Sequence, residues 1–363
     1  MKKLLIIALT ILLTVPVFAE PPEISAQCAI LICADTGDVL YEKDADSRML
    51  IASTTKIMTA IVAIESCSMD ETIEIEAEWC AVEGSSMYLQ PGESYTVREI
   101  LTGLMLNSGN DAATALAFHI GGSIEGFAGL MNRKAAELGM TNSSFENPHG
   151  LDGEKQYSSA RDMAALAAYC MENDSFRELA SMKSATVREL TYVNHNKLLW
   201  NCEGCIGIKT GYTMAAGRTL VSCCERNGLR LICVTLNAPD DWNDHMTLYD
   251  RGFEKFSETK LSRDSFKALI PTVAGIDDYA AVTVENDICL LTSTDSEVEI
   301  ETELPHFVFA GALEGEKAGM IRIFIDGELA AEQKLVYTVN DRVNNDDRLS
   351  LPERMFGRPY YIG

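Results

Sequence analysis

The chain has 363 residues, of which 47% are hydrophobic, so it can bury a sizeable core and is long enough for two domains. Its 30 basic and 54 acidic residues give a formal net charge of −24. A chain this acidic repels nucleic acid and anionic membranes unless a local basic patch intervenes, and the sequence contains no basic run of that kind.

The N-terminus has the pattern of a targeting signal. Lys2 and Lys3 precede the apolar run LLIIALTILLTV, and the segment VFA at 17–19 fits the small-residue rule for cleavage. The run is short for a membrane span, which favours cleavage over an uncleaved anchor helix. We therefore predict a signal peptide at 1–19 and an exported protein.

The next part of the chain predicts a β-hairpin followed by helices. The apolar run CAILIC at 28–33, the turn sequence DTGD at 35–38 and the apolar VLY at 39–41 indicate the hairpin. Apolar spacing predicts helices from 53 to about 65, from 127 to 138 and from 160 to 171. The stretch 97–120 is helical on both sides of NSGN at 107–110, where the poor helix former Gly109 predicts a break.

From residue 206 the hydrophobic period changes to two. Strands are predicted at 206–213, 218–224 and 229–236, with a strong hairpin turn at Asn227-Gly228, and a helix follows at about 242–256. We expect the N-terminal hairpin to join these strands in one sheet, which makes this part an α+β domain.

After residue 262 only short strand patterns occur, at 268–271, 281–284, 298–301 and 320–325, with a turn at Asp326-Gly327. The predicted organisation is a catalytic domain at 20–262, a small all-β domain at 263–345 and a tail at 346–363.

Ser53 and Lys56 lie three positions apart at the start of an apolar helix, so both side chains share one face. Serine is a weak nucleophile unless a base takes its proton, and lysine serves as that base only when burial or nearby positive charge populates its neutral form. An S-x-x-K pattern alone is common by chance, since the serine can cap the helix while the lysine reaches solvent.

Two further motifs strengthen the catalytic interpretation. Ser108-Gly109-Asn110 lies at the predicted helix break, and Lys209-Thr210-Gly211 lies on a predicted strand. S-x-x-K with S-D-N and K-T-G is the signature of penicillin-binding proteins and class A β-lactamases. Here the middle motif is S-G-N, and all three motifs occur in the expected order on the expected kinds of element.

These motifs and their flanking segments resemble the serine-type D-alanyl-D-alanine carboxypeptidases, which are low-molecular-mass penicillin-binding proteins of the peptidase S11 family. The segments that carry the resemblance are TGDVLYEKDAD at 36–46, ASTTKIMTA at 52–60, LNSGNDAATALA at 106–117, FAGLMNRKAAELGMTNSSFENPHGLD at 127–152, SARDMAALA at 159–167 and GIKTGYT at 207–213. The resemblance implies a penicillin-binding-protein/β-lactamase-like transpeptidase domain, an antiparallel sheet with a helical subdomain, followed by the β-rich domain.

The resemblance also implies catalytic roles. Ser53 would attack the carbonyl between the two terminal D-alanines and form an acyl-enzyme, and Lys56 would take the serine proton. Ser108 would relay a proton to the leaving D-alanine, and Asn110 would hold Lys56 or the substrate amide.

Substrate binding is assigned in the same way. Lys209 would keep Lys56 neutral and attract the terminal carboxylate, and Thr210 would hydrogen-bond that carboxylate. Gly211 would let the ligand approach the strand, and the N–H groups of Ser53 and Tyr212 would form the oxyanion hole.

The implied partners are peptidoglycan stem peptides ending in D-Ala-D-Ala and β-lactam antibiotics. No cofactor, metal ligand or nucleic-acid partner is predicted. The expected location is the extracellular face of the membrane, the cell wall or the periplasm, and peripheral association of the C-terminal region with the cell surface stays open.

Three positions depart from the family pattern without removing a catalytic group. Ile51 stands where proline is usual, and Lys155-Gln156 replace a histidine often found after GLD. Cys205 replaces a residue near the position before GIKTG where the family usually has an aspartate. His149 is interpreted as structural because Lys56 already fills the role of base.

Other functions are considered beside this one. A β-lactamase would share the nucleophile, but no E-x-x-L-N run follows Ser108. The eleven cysteines include a C-x-x-C at Cys202 and Cys205, which allows a redox pair, half a zinc site or a local disulfide. No second C-x-x-C supports a four-cysteine zinc site. Cys28, Cys33, Cys67 and Cys233 are interpreted as small buried hydrophobic residues.

Overall fold

The computed structural model describes residues 22–274, 277–293 and 296–338. The predicted signal peptide at 1–19 and the predicted tail at 346–363 lie outside the described residues.

The helices precede residue 256 in the described part of the chain. They are α1 Lys56–Ser66, α2 Val97–Leu106, α3 Asn110–Gly121, α4 Ile124–Glu137, α5 Ala160–Met171, α6 Asp174–Ser181, α7 Leu198–Asn201 and α8 Asp241–Lys255, with 3-10 turns at Ala52–Thr55 and Ala77–Trp79. Within the described ranges, each helix is too short or too polar to cross a lipid bilayer.

The strands form two larger sheets and three two-stranded ones. They are β1 Cys28–Cys33, β2 Val39–Lys43, β3 Thr72–Glu74, β4 Ser94–Thr96, β5 Ser184–Val187, β6 Leu190–Val193, β7 Cys205–Thr213, β8 Gly217–Arg226, β9 Leu229–Leu236, β10 Phe256–Leu261, β11 Ala268–Val273, β12 Tyr279–Val284, β13 Ile288–Ser293, β14 Val298–Glu303, β15 Val308–Phe309, β16 Lys317–Ile325 and β17 Glu328–Tyr337. The sheet orders are β2-β1-β9-β8-β7, β14-β16-β17-β12-β11-β15, β10-β13, β3-β4 and β5-β6.

The five-stranded sheet is the antiparallel sheet that the sequence predicted, with the N-terminal hairpin joined to the later strands. Its central strands are buried on both faces. Ile30 and Ile32 pack into the core shared with the helices α1–α6, whereas Leu31 and Cys33 pack against Leu248 and its neighbours on α8. Because successive residues of a strand point to opposite faces, this double burial explains why CAILIC is continuously apolar rather than alternating.

The predicted helix break is present between α2 and α3. A capping box starts α2, in which Thr96 and Glu99 bond to each other's backbone N–H groups. After α2 ends, Ser108 takes a left-handed conformation with φ 60°, and α3 begins at Asn110. Such a φ is uncommon for a residue other than glycine. It changes the direction of the chain at Ser108, so α2 ends before the S-G-N motif and α3 starts within it.

The C-terminal part is all-β in the described residues, as predicted. The six-stranded sheet has hydrophobic clusters of its own, one around Ile270 and Val282 and one around Ile321 and Leu335. The strand β10 pairs with β13, so β pairing with the C-terminal part begins at Phe256, a few residues before the predicted boundary at 262.

Candidate active site

Ser53 lies in the 3-10 turn that leads into α1, one turn before the first residue of that helix. Thr54 and Thr219 both donate hydrogen bonds to the carbonyl of Ile51, at 2.6 and 3.0 Å. The preceding Ala52 has a left-handed φ of 46°. These contacts fix the turn, so the position of the Ser53 hydroxyl is set by backbone rather than by a flexible loop.

Lys56 is fully buried, and its amine contacts three oxygen atoms. The Nζ atom lies 3.1 Å from Ser53 Oγ, 2.7 Å from Asn110 Oδ1 and 2.6 Å from the carbonyl oxygen of His149. These acceptors come from the turn before α1, the start of α3 and the loop after α4. The lysine is therefore positioned by three separate parts of the helical region.

The electrostatic environment disfavours the charged form of Lys56. Burial lowers its pKa well below the usual range, and the nearby Lys209 lowers it further, against a smaller opposing effect of Asp111. Burial also lowers the pKa of Lys209, to about 7. Burial and the neighbouring Lys209 therefore both favour the neutral amine of Lys56 over its charged form.

The S-G-N motif contributes two polar side chains to the same region. Asn110 accepts from Lys56 through Oδ1, and its Nδ2 donates to the carbonyl of Glu83 at 2.5 Å, which fixes the orientation of the amide. Ser108 is only 4% exposed, and its Oγ has no hydrogen-bond partner among the described residues. A buried hydroxyl without a partner costs about 1–3 kcal/mol, and a catalytic role is one reason for a native protein to keep such a group.

The K-T-G motif lies on β7, as predicted, and β7 passes against the Ser53 turn. A Cβ atom on Gly211 would lie 2.8 Å from the Ser53 nitrogen and 2.4 Å from Thr219 Oγ1. Only glycine allows this approach, so β7 packs directly against the backbone of the turn that carries Ser53. Lys209 is buried, and its Nζ donates to the carbonyl of Thr210 at 3.2 Å.

A cavity of about 890 Å³ opens at these motifs. Of the predicted site residues, those on its wall are Ser53, Ser108, Thr210, Gly211 and Tyr212. The remaining three are buried beside them, and these are Lys56, Asn110 and Lys209. The structure thus brings all eight predicted residues to one place.

Several cavity residues were not predicted. The side chains of His195, Trp200 and Trp242 line the cavity, as does Arg218, whose guanidinium binds Asp241 Oδ1 at 2.6 Å. The three aromatic residues could not be predicted from a motif, because their segments have no fixed spacing to the S-x-x-K, S-G-N and K-T-G motifs. Arg218 already has an acidic partner in Asp241.

Asp111 is a second residue that sequence reasoning missed. Its buried carboxylate accepts from Ser86 Oγ at 2.6 Å and from the backbone nitrogens of Met87 and Leu89 at 2.9 and 3.1 Å. The backbone N–H of Asn110 donates to Ser85 at 2.7 Å. The segment 83–89 is therefore fastened to the start of α3, beside the catalytic motif.

Gln156, at one of the departures from the family pattern, and His149 both have structural roles in the loop after α4. Gln156 turns inward and donates to Thr55 Oγ1 at 2.9 Å, which ties the loop after α4 to the start of α1. His149 contacts Lys56 through its carbonyl, while its ring Nδ1 accepts from Leu151 at 3.3 Å. Burial, aided by Lys56, lowers the pKa of His149 to about 4. These contacts fit its interpretation as a structural residue.

The cysteine predictions are only partly confirmed. The eleven cysteines all lie in the described residues and form no disulfide there, and Cys28, Cys33 and Cys233 are buried. Cys67 is half-buried at the end of α1 and packs against the main hydrophobic core, so its assignment as a buried hydrophobic residue is confirmed only in part. The sulfur of Cys202 contacts that of Cys224, at 3.5 Å.

Comparison with known proteins identifies the family. The family model for D-alanyl-D-alanine carboxypeptidases, peptidase S11, matches residues 16–240. The D-alanyl-D-alanine carboxypeptidase DacF of Bacillus subtilis (strain 168) is 34% identical over 324 residues, which are 85% of this chain and 83% of that protein. The chain belongs to this family.

Solved structures of penicillin-binding proteins extend the likeness to most of the chain, including the C-terminal sheet. Penicillin binding protein 5 from Haemophilus influenzae matches with a TM-score of 0.71 and 28% identity, over 89% of this chain and 99% of that one. Penicillin binding protein 6B from Escherichia coli matches with a TM-score of 0.73 and 27% identity, over 88% and 98%. The predicted family, α+β fold and hydrolase class are confirmed, and neither the β-lactamase nor the thiol-redox alternative is favoured.

Proposed function

We propose that this S11 enzyme removes the terminal D-alanine from peptidoglycan stem peptides through an acyl-enzyme on Ser53, and that penicillin acylates the same hydroxyl. The observation that carries the proposal is the contact of a buried lysine amine with the Ser53 hydroxyl, at 3.1 Å. A neutral amine at hydrogen-bond distance is what a serine needs to become a nucleophile.

The three contacts of Lys56 support a specific proton path. Asn110 Oδ1 and the carbonyl of His149 can only accept hydrogen bonds. A neutral amine has two hydrogens, and these satisfy the two oxygens. Its lone pair then faces Ser53 Oγ, so the hydroxyl donates to Lys56 and its proton moves to Nζ as the oxygen attacks.

Lys209 would serve substrate binding. With a pKa near 7 in the free enzyme, its amine is partly charged at neutral pH. A bound carboxylate favours the charged form, so the C-terminal carboxylate of the substrate would raise this pKa and hold Lys209 as the ammonium. Thr210, which lines the cavity beside it, would hydrogen-bond the same carboxylate.

The oxyanion and the leaving group would be served by neighbouring groups. The N–H groups of Ser53 and Tyr212 would stabilise the oxyanion, and the close approach of β7 at Gly211 supports their placement on one site. The unpartnered hydroxyl of Ser108 lies on the same cavity wall, and it would pass the proton held by Lys56 to the departing D-alanine. Water then attacks the carbonyl of the acyl-enzyme, and the shortened peptide is released from Ser53.

The direct test is release of D-alanine from a small peptide ending in D-Ala-D-Ala. The full-length protein should release D-alanine, and the Ser53→Ala variant should not. Ser66→Ala, at the other end of α1, is the matched control and should retain activity. Release that persists in folded Ser53→Ala would refute the proposed nucleophile.

The division of the chain follows from the same proposal. Residues 1–19 act as a signal peptide for export, residues 20–262 carry catalysis, and residues 263–345 position that domain at the cell wall or at a partner. In support, every proposed site residue precedes residue 214, and the C-terminal sheet has its own hydrophobic clusters. A protein truncated after Ser262 should still be acylated by penicillin. If it is folded by circular dichroism and yet not acylated, the C-terminal part contributes to the site.

A further inference from the structure

A cluster of three metal-ligating side chains lies away from the catalytic centre. Cys67, Glu71 and His119 each place a ligand atom within 4.8 Å of the others. His119 Nε2 and Glu71 Oε1 are 2.8 Å apart. Cys67 is half-buried, whereas the other two side chains are exposed, so an ion could reach all three from solvent.

The cluster joins the far ends of the two helices that carry catalytic residues. Lys56 is the first residue of α1, and Cys67 directly follows its last residue. Asn110 is the first residue of α3, and His119 lies in its last turn. Eleven residues of helix span about 16 Å, so the cluster is a helix length from the Ser53 hydroxyl. The C-terminal ends of helices carry partial negative charge, which favours a cation there.

The backbone around the cluster is held in place. The N–H of Glu71 donates to Ser68 at 3.1 Å, and the carbonyl of Glu71 accepts from Val97 at 2.8 Å. Beside His119, the ring of Phe118 stacks on Trp79 with centroids 5.7 Å apart. The ligands therefore converge on a fixed frame, and a metal would need little rearrangement of the chain.

We propose that Cys67, Glu71 and His119 form a zinc site with an open fourth position for water. Thiolate and imidazole ligands suit zinc and are poor ligands for magnesium or calcium. Three protein ligands plus water complete a tetrahedral sphere. Zinc displaces the thiol proton of Cys67, which passes to water, and the metal then connects the ends of α1 and α3. A simple ion pair between His119 and Glu71 would explain those two side chains, but it would not explain why the sulfur of Cys67 lies beside them.

The test uses full-length protein freed of metal and titrated with Zn²⁺ by calorimetry. We expect one zinc per chain, and at least about ten-fold weaker binding in Cys67→Ser and in His119→Gln. Even the loss of a residue that only hydrogen-bonds to a metal ligand weakens metal sites by about 10–100-fold. Cys289→Ser, which changes an exposed thiol on β13, is the control and should bind like the unmodified protein. Equal affinity in all four proteins, or no stoichiometric zinc, would overturn the site.

Two spectroscopic measurements identify the ligands directly. Co²⁺ in place of zinc should give a thiolate-to-cobalt charge-transfer band that disappears in Cys67→Ser and persists in Cys202→Ser. The opposite pattern would move the metal to the Cys202–Cys224 region and overturn the proposal. Zn²⁺ should also slow alkylation of Cys67 by iodoacetamide in the unmodified protein, as mapped on its peptide. This measurement needs no variant, and an unchanged rate counts against the site.

Discussion

Replacing Lys209 with methionine should make the protein more stable while it impairs substrate binding. Burial of the amine lowers its pKa from 10.5 to about 7. The pKa of Lys209 is lower in the folded than in the unfolded protein, so between the two pKa values the unfolded chain binds more protons. Burying the amine therefore lowers the free energy of unfolding by its full amount below pH 7 and has no effect above the unfolded pKa. At 1.36 kcal/mol per pKa unit, the penalty is about 4 kcal/mol at pH 7 and about 2 kcal/mol at pH 9.

The assay is urea unfolding of both proteins at the two pH values. Lys209→Met should exceed the unmodified protein in unfolding free energy at pH 7, and the difference should shrink by about 2 kcal/mol at pH 9. The control is Lys155→Met, which removes an exposed positive charge. A difference that stays constant with pH, or grows, would refute the account of Lys209 as a buried amine with a lowered pKa.

The same variant has a kinetic consequence for Lys56. The positive charge of Lys209 helps to lower the pKa of Lys56, so its removal should raise that pKa. The acidic limb of the pH profile for penicillin acylation should then move to higher pH. A limb that moves to lower pH, or does not move, would show that the two lysines are not coupled in this way.

Three further predictions concern the same site. Lys56→Arg keeps the charge but cannot deprotonate, so acylation by penicillin should fall by at least ~10²-fold, and normal acylation would point to another base. Gly211→Ala would place a Cβ 2.8 Å from the Ser53 nitrogen, so we expect a loss of about 1–3 kcal/mol in unfolding free energy and slower acylation; an unchanged acylation rate would mean that β7 can shift without cost. Activity should survive reductant, because the sulfurs of Cys202 and Cys224 form a contact at 3.5 Å without a disulfide; activity lost on reduction and regained on oxidation would contradict this.

Local patterns predicted the parts of the fold whose formation depends on nearby residues. The run CAILIC, the Asn227-Gly228 turn and the helix break at Gly109 each carry a signal within a few positions, and each appears where it was expected. The serine, lysine and asparagine of the site were found because their motifs have fixed spacing on such elements.

The rest depends on contacts between distant segments. The hairpin of β5 and β6 was missed because both strands are short and mostly exposed, so neither shows a clear apolar alternation. The strand β13 was missed although its residues are apolar, since its partner β10 precedes it by some thirty residues. Asp111 and the Cys202–Cys224 contact could not be predicted for the same reason, because each depends on which segments fold together.

The most direct measurement of the central claim is mass spectrometry of the full-length protein after exposure to penicillin. The account predicts a single covalent penicilloyl adduct, mapped to the peptide that contains Ser53, and no adduct in Ser53→Ala. A stable adduct on any other residue, or an equal adduct in Ser53→Ala, would contradict the assignment of Ser53 and Lys56 as nucleophile and base.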